Sequence, residues 1–158
     1  MEMRLPMALD EKMIRFLASG GYSGLAPFMP GTLGTLAGLP LACLFSFAPF
    51  SIGFLLILSF ILFAIFIAEQ AEKIDGKKDP GWIVVDEIAG VLVTMAAIPF
   101  SFKNALLGFL IFRGFDILKP FPVGYLDRNF SGGPGIVLDD VAAGLMANLV
   151  LQIYTTVI

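Results

Sequence analysis

Ser51–Ala68 reads SIGFLLILSFILFAIFIA, eighteen consecutive residues without a charge. About 20 apolar residues of helix cross a bilayer, so this stretch predicts a transmembrane helix. It also decides the fold class: an all-α, compact polytopic membrane bundle. The surrounding sequence agrees. No charged residue occurs from Phe16 to Ala68. Of the 158 residues, 58% are hydrophobic and 15% are charged, against about 25% charged in soluble globular proteins. The length suits one domain, taken as residues 1–158.

Working outward, Met7–Leu17 reads as a short amphipathic helix with Lys12 and Arg15 on its polar side, suited to a membrane surface. The Gly/Pro-rich stretch to Pro30 reads as a loop. Thr32 is placed to cap a first apolar helix over Leu33–Phe47. Ser51–Ala68 is the second, followed by a polar loop over Glu69–Gly81. Asp86–Ile98 is the third, ended by Pro99, and Asn104–Leu118 the fourth, ended by Pro120 and Pro122. YLDRNFSGGPG (125–135) reads as a loop and Asp139–Tyr154 as the fifth helix. The expectation is about five embedded helices plus the N-terminal surface helix, with the first, third and fourth short for a full span. The N-terminus lacks the pattern of a cleavable signal peptide.

With five spans, nine of the ten basic residues fall on one side and only Lys103 on the other. The positive-inside rule makes the richer side cytoplasmic. On that side fall Asp86 and Glu87 of IVVDEIAG (83–90), Asp139 and Asp140 of IVLDDVAAG (136–144), and Asp116. Asp79 can join them from the loop.

Helix capping accounts for one acid per helix. It accounts less well for two, and not for Asp116 near a helix C-terminus. Arg113, Asp116 and Lys119 are spaced i, i+3, i+6, one polar stripe on an apolar helix. They form either a salt-bridge ladder or a phosphate-binding group beside a metal. Carboxylates without histidine or cysteine nearby favour a hard ion, Mg²⁺ over Zn²⁺. A cation and bases would also offset the repulsion of a phosphate by so many acids. PGTLGT (30–35) supplies Thr32 and Thr35 near a helix start, suited to an anion or to plain turn chemistry. It lacks the lysine of a Walker loop.

In combination, SGLAPFMPGTLGT, the DP…IVVDEIAG stretch, FRGFDILKPFP and DRNFSGGPGIVLDDVAAG resemble, in this order, the bacterial phosphatidylglycerophosphatase A family, from about Gly20 to Gly144. The resemblance implies a Mg²⁺-dependent inner-membrane enzyme that converts phosphatidylglycerophosphate to phosphatidylglycerol and inorganic phosphate. It carries the family's motifs onto Asp79, onto Asp86 and Glu87, onto Arg113, Asp116, Lys119 and Pro120, and onto Asp139 and Asp140.

On this reading Asp86, Glu87, Asp139 and Asp140 hold one or two Mg²⁺ ions. Asp116 or Asp79 completes the shell or positions a water. Arg113 and Lys119, with Thr32 and Thr35, hold phosphate oxygens. Other routes lack their residues. There is no histidine for a phosphohistidine, and Cys43 sits in an apolar helix without a CxxxxxR arrangement. A DxDx[TV] motif is absent, and one cysteine makes neither an intrachain disulfide nor a zinc cluster. The few basic clusters are mixed with acids, so nucleic acid is not an expected partner. The main rival is an ion-coupled transporter or ion-binding membrane protein, where intramembrane acids serve ion pathways. A scaffold with the acids as caps is another.

Overall fold

The computed structural model describes residues 9–157. Among these are seven α-helices, one 3₁₀ turn and no strand: α1 Glu11–Ala18, the turn Ser23–Leu25, α2 Pro30–Ser46, α3 Phe50–Asp75, α4 Val85–Thr94, α5 Phe102–Leu118, α6 Val123–Asn129 and α7 Gly132–Val157. The all-α expectation holds. Two of the helices, α3 and α7, are long and apolar enough to cross a membrane. The outward surface is of the same kind: Phe54, Leu55, Leu62 and Phe66 of α3 and Leu145, Leu149 and Ile153 of α7 are exposed. A surface so apolar is what a membrane protein turns to lipid.

At the centre stands α4. Every residue in it except Glu87 is buried, enclosed by α7, α2, α3 and α5. Ten residues rise about 15 Å, half the roughly 30 Å of a bilayer's hydrocarbon core. Lipid gives apolar helices little reason to associate, so close packing of small residues must do so. Ala64, Ala68 and Ala71 of α3 are fully buried. One close crossing lies between α4 and α7. A Cβ on Gly144 would overlap the Gly90 carbonyl, and one on Gly90 would meet the Phe112 ring and the Asp140 carbonyl. Only glycine lets these two backbones meet.

Helix α1 lies where an amphipathic helix was expected, with Arg15 paired to Glu11 at 3.0 Å. Residues 7 and 8 of that expected helix are outside the described residues. Several boundaries differ from the sequence reading. Helix α2 starts at Pro30, so Thr32 is in its first turn and is not its cap. Helix α3 continues through much of the expected polar loop, because AEQAEKID has good helix formers and Glu69 pairs with Lys73 at 2.9 Å. It stops where Gly76 takes a positive φ of 71°.

Helix α4 ends at Thr94, short of Ile98. The amide of Asn148 on α7 donates to the carbonyls of Thr94 (2.9 Å) and Ala96 (2.8 Å), which lets a helix stop inside the bundle. Residues 125–129, read as the start of a loop, belong to α6, which begins directly after Pro122. Helix α7 begins at Gly132, seven residues before Asp139. Its N-terminus is capped from outside: Glu69 of α3 accepts the N–H of Gly133 at 2.6 Å. SGGPG looks like a turn by local rules, and that distant carboxylate helps make it a helix start.

Candidate metal centre

The acids meet at the end of the bundle where α2, α4 and α7 begin and α5 finishes. Helices α4 and α7 run in the same direction there, and their glycine crossing fixes what lies one turn back. Asp86 is four residues before Gly90, and Asp140 four residues before Gly144, so each acid shares a helix face with its glycine. Carboxylate oxygens of Asp86, Glu87 and Asp140 accordingly lie within 4.8 Å of one another.

Each of the three also contributes a buried oxygen without a hydrogen-bond partner: Asp86 Oδ1, Glu87 Oε2 and Asp140 Oδ2. Buried polar atoms are rarely left unpaired, and three such carboxylate oxygens on one cluster of acids could serve as a ligand set. Ligands 2.0–2.1 Å from a Mg²⁺ ion lie at most about 4.2 Å apart across it. A separation bounded by 4.8 Å is compatible with three oxygens gathered around one small ion. All donors are oxygen, which suits a hard divalent cation. The cluster could hold such an ion. The N-cap of α4 is Val84, so Asp86, in the first turn, is not its cap residue.

Arg113 stands beside this group. It donates to Asp116 Oδ2, one helical turn on, and its Nη1 is 3.9 Å from Glu87 Oε1. Glu87 and Asp116 share this one guanidinium, and with Asp86 and Asp140 the cluster sets four carboxylates against one arginine, a formal excess of three negative charges that a divalent cation would largely offset. The start of α2 presses on the same point. A Cβ at Gly31 would overlap the Glu87 carboxylate and crowd the Arg113 guanidinium.

The remaining candidates separate from the cluster. Lys119 ends α5 with a left-handed φ of 46° and leaves the Arg113–Asp116 stripe. Its ammonium lies 2.8 Å from Asp139 Oδ2 and 2.7 Å from Asp127 Oδ1. Burial works against its charge, but these two carboxylates more than offset that and raise its pKa. Asp139 Oδ1 accepts the N–H of Asp140 at 3.0 Å, so both oxygens of Asp139 are occupied.

Of the five acids expected to bind metal, the fold brings together Asp86, Glu87 and Asp140. It pairs Asp116 with Arg113 and Asp139 with Lys119. Asp79 lies on the loop after α3, its backbone N–H donating to Glu72 at 2.9 Å. Burial raises its pKa, Lys119 opposes that, and the charges of Asp127 and Glu72 add to it. The Thr35 hydroxyl is buried and donates to the Gly31 carbonyl at 2.8 Å, inside α2. Thr32 sits half-buried in the first turn of α2.

Asp127 was not among the sequence candidates. It lies in a stretch that reads as loop, and its link to Lys119 depends on the turn between them. An apolar pocket of about 540 Å³ opens between α2, α3 and the turn after α4. It contains Cys43 and no charged residue, and lies at the far end of α4 from the acids.

Residues 16–155 match the family described as phosphatidylglycerophosphatase A. The chain is 39% identical to phosphatidylglycerophosphatase A of Escherichia coli over 132 residues, covering 83% of this chain and 77% of that protein. It is 40% identical to phosphatidylglycerophosphatase A of Haemophilus influenzae over 140 residues, 87% of this chain and 86% of that one. A putative phosphatidylinositol-3-phosphatase of Bacteroides thetaiotaomicron is 34% identical over 150 residues, 90% of this chain and 93% of that one. No solved structure matches.

Proposed function

This chain belongs to the phosphatidylglycerophosphatase A family, and we propose that it hydrolyses phosphatidylglycerophosphate to phosphatidylglycerol and inorganic phosphate with Mg²⁺. The observation that carries this is the set of three buried, unpartnered carboxylate oxygens from Asp86, Glu87 and Asp140 beside the Arg113 guanidinium. These three residues would hold the ion. When bound, it supplies Lewis-acid stabilisation of the phosphate oxygens and lowers the pKa of a bound water.

The chain's own groups do the rest. Arg113, oriented by Asp116, binds phosphate oxygens in the planar geometry that guanidinium favours. Lys119 brings a second positive charge from beside Asp139 on α7. In the reaction a water oxygen joins phosphorus as the bond to the glycerol oxygen breaks, one water proton is balanced by a proton taken up on the glycerol oxygen, and Arg113 and Lys119 stabilise charge on the transferring phosphoryl group.

The membrane placement is part of the proposal. We read α2, α3, α4, α5 and α7 as the embedded helices, with the acidic end at the cytoplasmic face of a bacterial inner membrane. Supporting this, Lys103 lies at the opposite end, over the Tyr154 ring at 4.9 Å. Arg15, Arg113, Lys119 and Arg128 belong to the acidic end. The lipid tails then stay beside the apolar helices while the headgroup reaches the cluster.

Purified protein in detergent should release phosphate from phosphatidylglycerophosphate with Mg²⁺ and stop when the ion is chelated. The name of the Bacteroides relative makes phosphatidylinositol 3-phosphate the comparison substrate. Faster turnover of that lipid would reassign the substrate, and no release from either lipid would defeat the enzyme reading.

A further inference from the structure

We infer that Asp127 is a positioning residue of this site, acting through Lys119; the inference rests on the phosphatase reading above. An ammonium group has three N–H donors. On Lys119 one goes to Asp139 on α7 at 2.8 Å and one to Asp127 on α6 at 2.7 Å. The tetrahedral group then has one direction left, and that donor has no partner among the described hydrogen bonds.

Lysine is a flexible stem with a point charge. A single carboxylate would neutralise it yet leave it free to rotate about one contact. Two carboxylates on different helices fix both its position and the direction of the third N–H. The Asp139 anchor is itself held, because its other oxygen accepts the Asp140 N–H.

Charge balance alone does not call for Asp127. Asp139 has a side-chain exposure of 6% and already matches the lysine one to one, while Asp127, at 36%, is in contact with solvent. A second carboxylate makes the group net negative, which by itself weakens phosphate binding. Its gain is directional. Solvent screens the Asp127 charge, whereas its short hydrogen bond still orients the donor.

The left-handed backbone at Lys119 points the same way. Non-glycine residues rarely adopt it, and here it takes Lys119 off the α5 stripe, where it would continue the Arg113–Asp116 series. The site then has two arms: Arg113 held by Asp116, and Lys119 held by Asp127 and Asp139.

The test uses full-length protein in detergent with Mg²⁺ and the lipid substrate. Asp127→Ala, which removes the acceptor itself, should lower kcat/KM about tenfold or more, as expected for a hydrogen bond to a charged group. Inhibition by inorganic phosphate should weaken by a similar factor. Asp127→Asn, which keeps an acceptor oxygen for Lys119, should retain most of both. In a Lys119→Ala background, Asp127→Ala should cause no further loss.

A purely structural role for Asp127 predicts loss of folded protein with unchanged phosphate inhibition per folded molecule. That result, or equal losses in both backgrounds, or normal kinetics in Asp127→Ala, would overturn the inference and leave the phosphatase reading standing. If the parent protein releases no phosphate, the two fall together. Should the alanine variant not fold, Asp127→Leu carries the same expectations.

Discussion

Replacing Asp140 and Asp139 one at a time by asparagine should have opposite effects, although the two residues are adjacent. Asp140 is 3% exposed and faces Asp86 and Glu87 across less than 4.8 Å. At an effective dielectric of about 20, two unit charges at that distance repel by about 3.5 kcal/mol. Arg113 and side-chain relaxation offset much of this, so relief of about 1–2 kcal/mol is expected in chelator from Asp140→Asn. For a chain of this size that raises the apparent melting temperature by roughly 2–8 °C.

Mg²⁺ at about 100 times its Kd should stabilise the parent protein by about 2.7 kcal/mol. If losing one of three carboxylates weakens binding about a hundredfold, the same Mg²⁺ leaves Asp140→Asn only about 0.4 kcal/mol. The variant should therefore melt higher without metal, respond little to Mg²⁺, and release almost no phosphate.

Asp139→Asn removes the 2.8 Å partner of Lys119 and should melt lower in chelator. Lys119 keeps Asp127, so the loss is expected at about 1–2 kcal/mol, below that of a fully buried broken pair. Its Mg²⁺ response should match the parent's. Thermal melts by intrinsic fluorescence, with and without Mg²⁺, measure all four quantities. An Asp139→Asn protein that has lost its Mg²⁺ response, next to an Asp140→Asn protein that retains it, would refute the assignment of the orphaned oxygens.

Three further outcomes are expected. Gly31→Ala should cut phosphate release by at least tenfold with little change in melting, because its Cβ displaces the Glu87–Arg113 pair. Asn148→Leu should lower stability by about 1–3 kcal/mol, because the Thr94 and Ala96 carbonyls lose their half-buried amide donor, while turnover per folded molecule stays within twofold. Alkylating Cys43 should leave turnover unchanged, since it lines the apolar pocket at the far end of α4; inhibition would connect that pocket to the chemistry.

The helix class and most of the apolar segments were legible because a long uncharged run such as Ser51–Ala68 has few other readings. The missed boundaries depend on distant partners. Residues 132–138 are helical with Glu69 of α3 capping Gly133. Helix α4 stops early with Asn148 of α7 taking its last carbonyls. Neither partner is visible in a local window. The same limit hid Asp127, whose role depends on how the chain turns between Lys119 and α6.

The division among the acids was closer to the surface of the sequence. IVVDEIAG and IVLDDVAAG look like two equal acidic pairs when aligned on their first aspartates, and the glycines then fall out of step by one residue. Aligned on the glycines, the repeat is regular: Asp86 precedes Gly90 by four residues and Asp140 precedes Gly144 by four. A spacing of four keeps a side chain on the face of its glycine, and glycine marks the face where two backbones can touch. Asp139 falls about 100° away around α7, off the crossing, where Lys119 reaches it. The crossing thus assigns Asp86 and Asp140 to one centre, while Glu87 joins from the next position on α4 with its carboxylate against Gly31 and Arg113. Packing and chemistry use the same few residues here, so a substitution that parts α4 from α7 should also part the ligands. Gly144→Ala is the direct case: the added methyl has the Gly90 carbonyl in its way, and the variant should lose its Mg²⁺-dependent rise in melting temperature with all three acids still present.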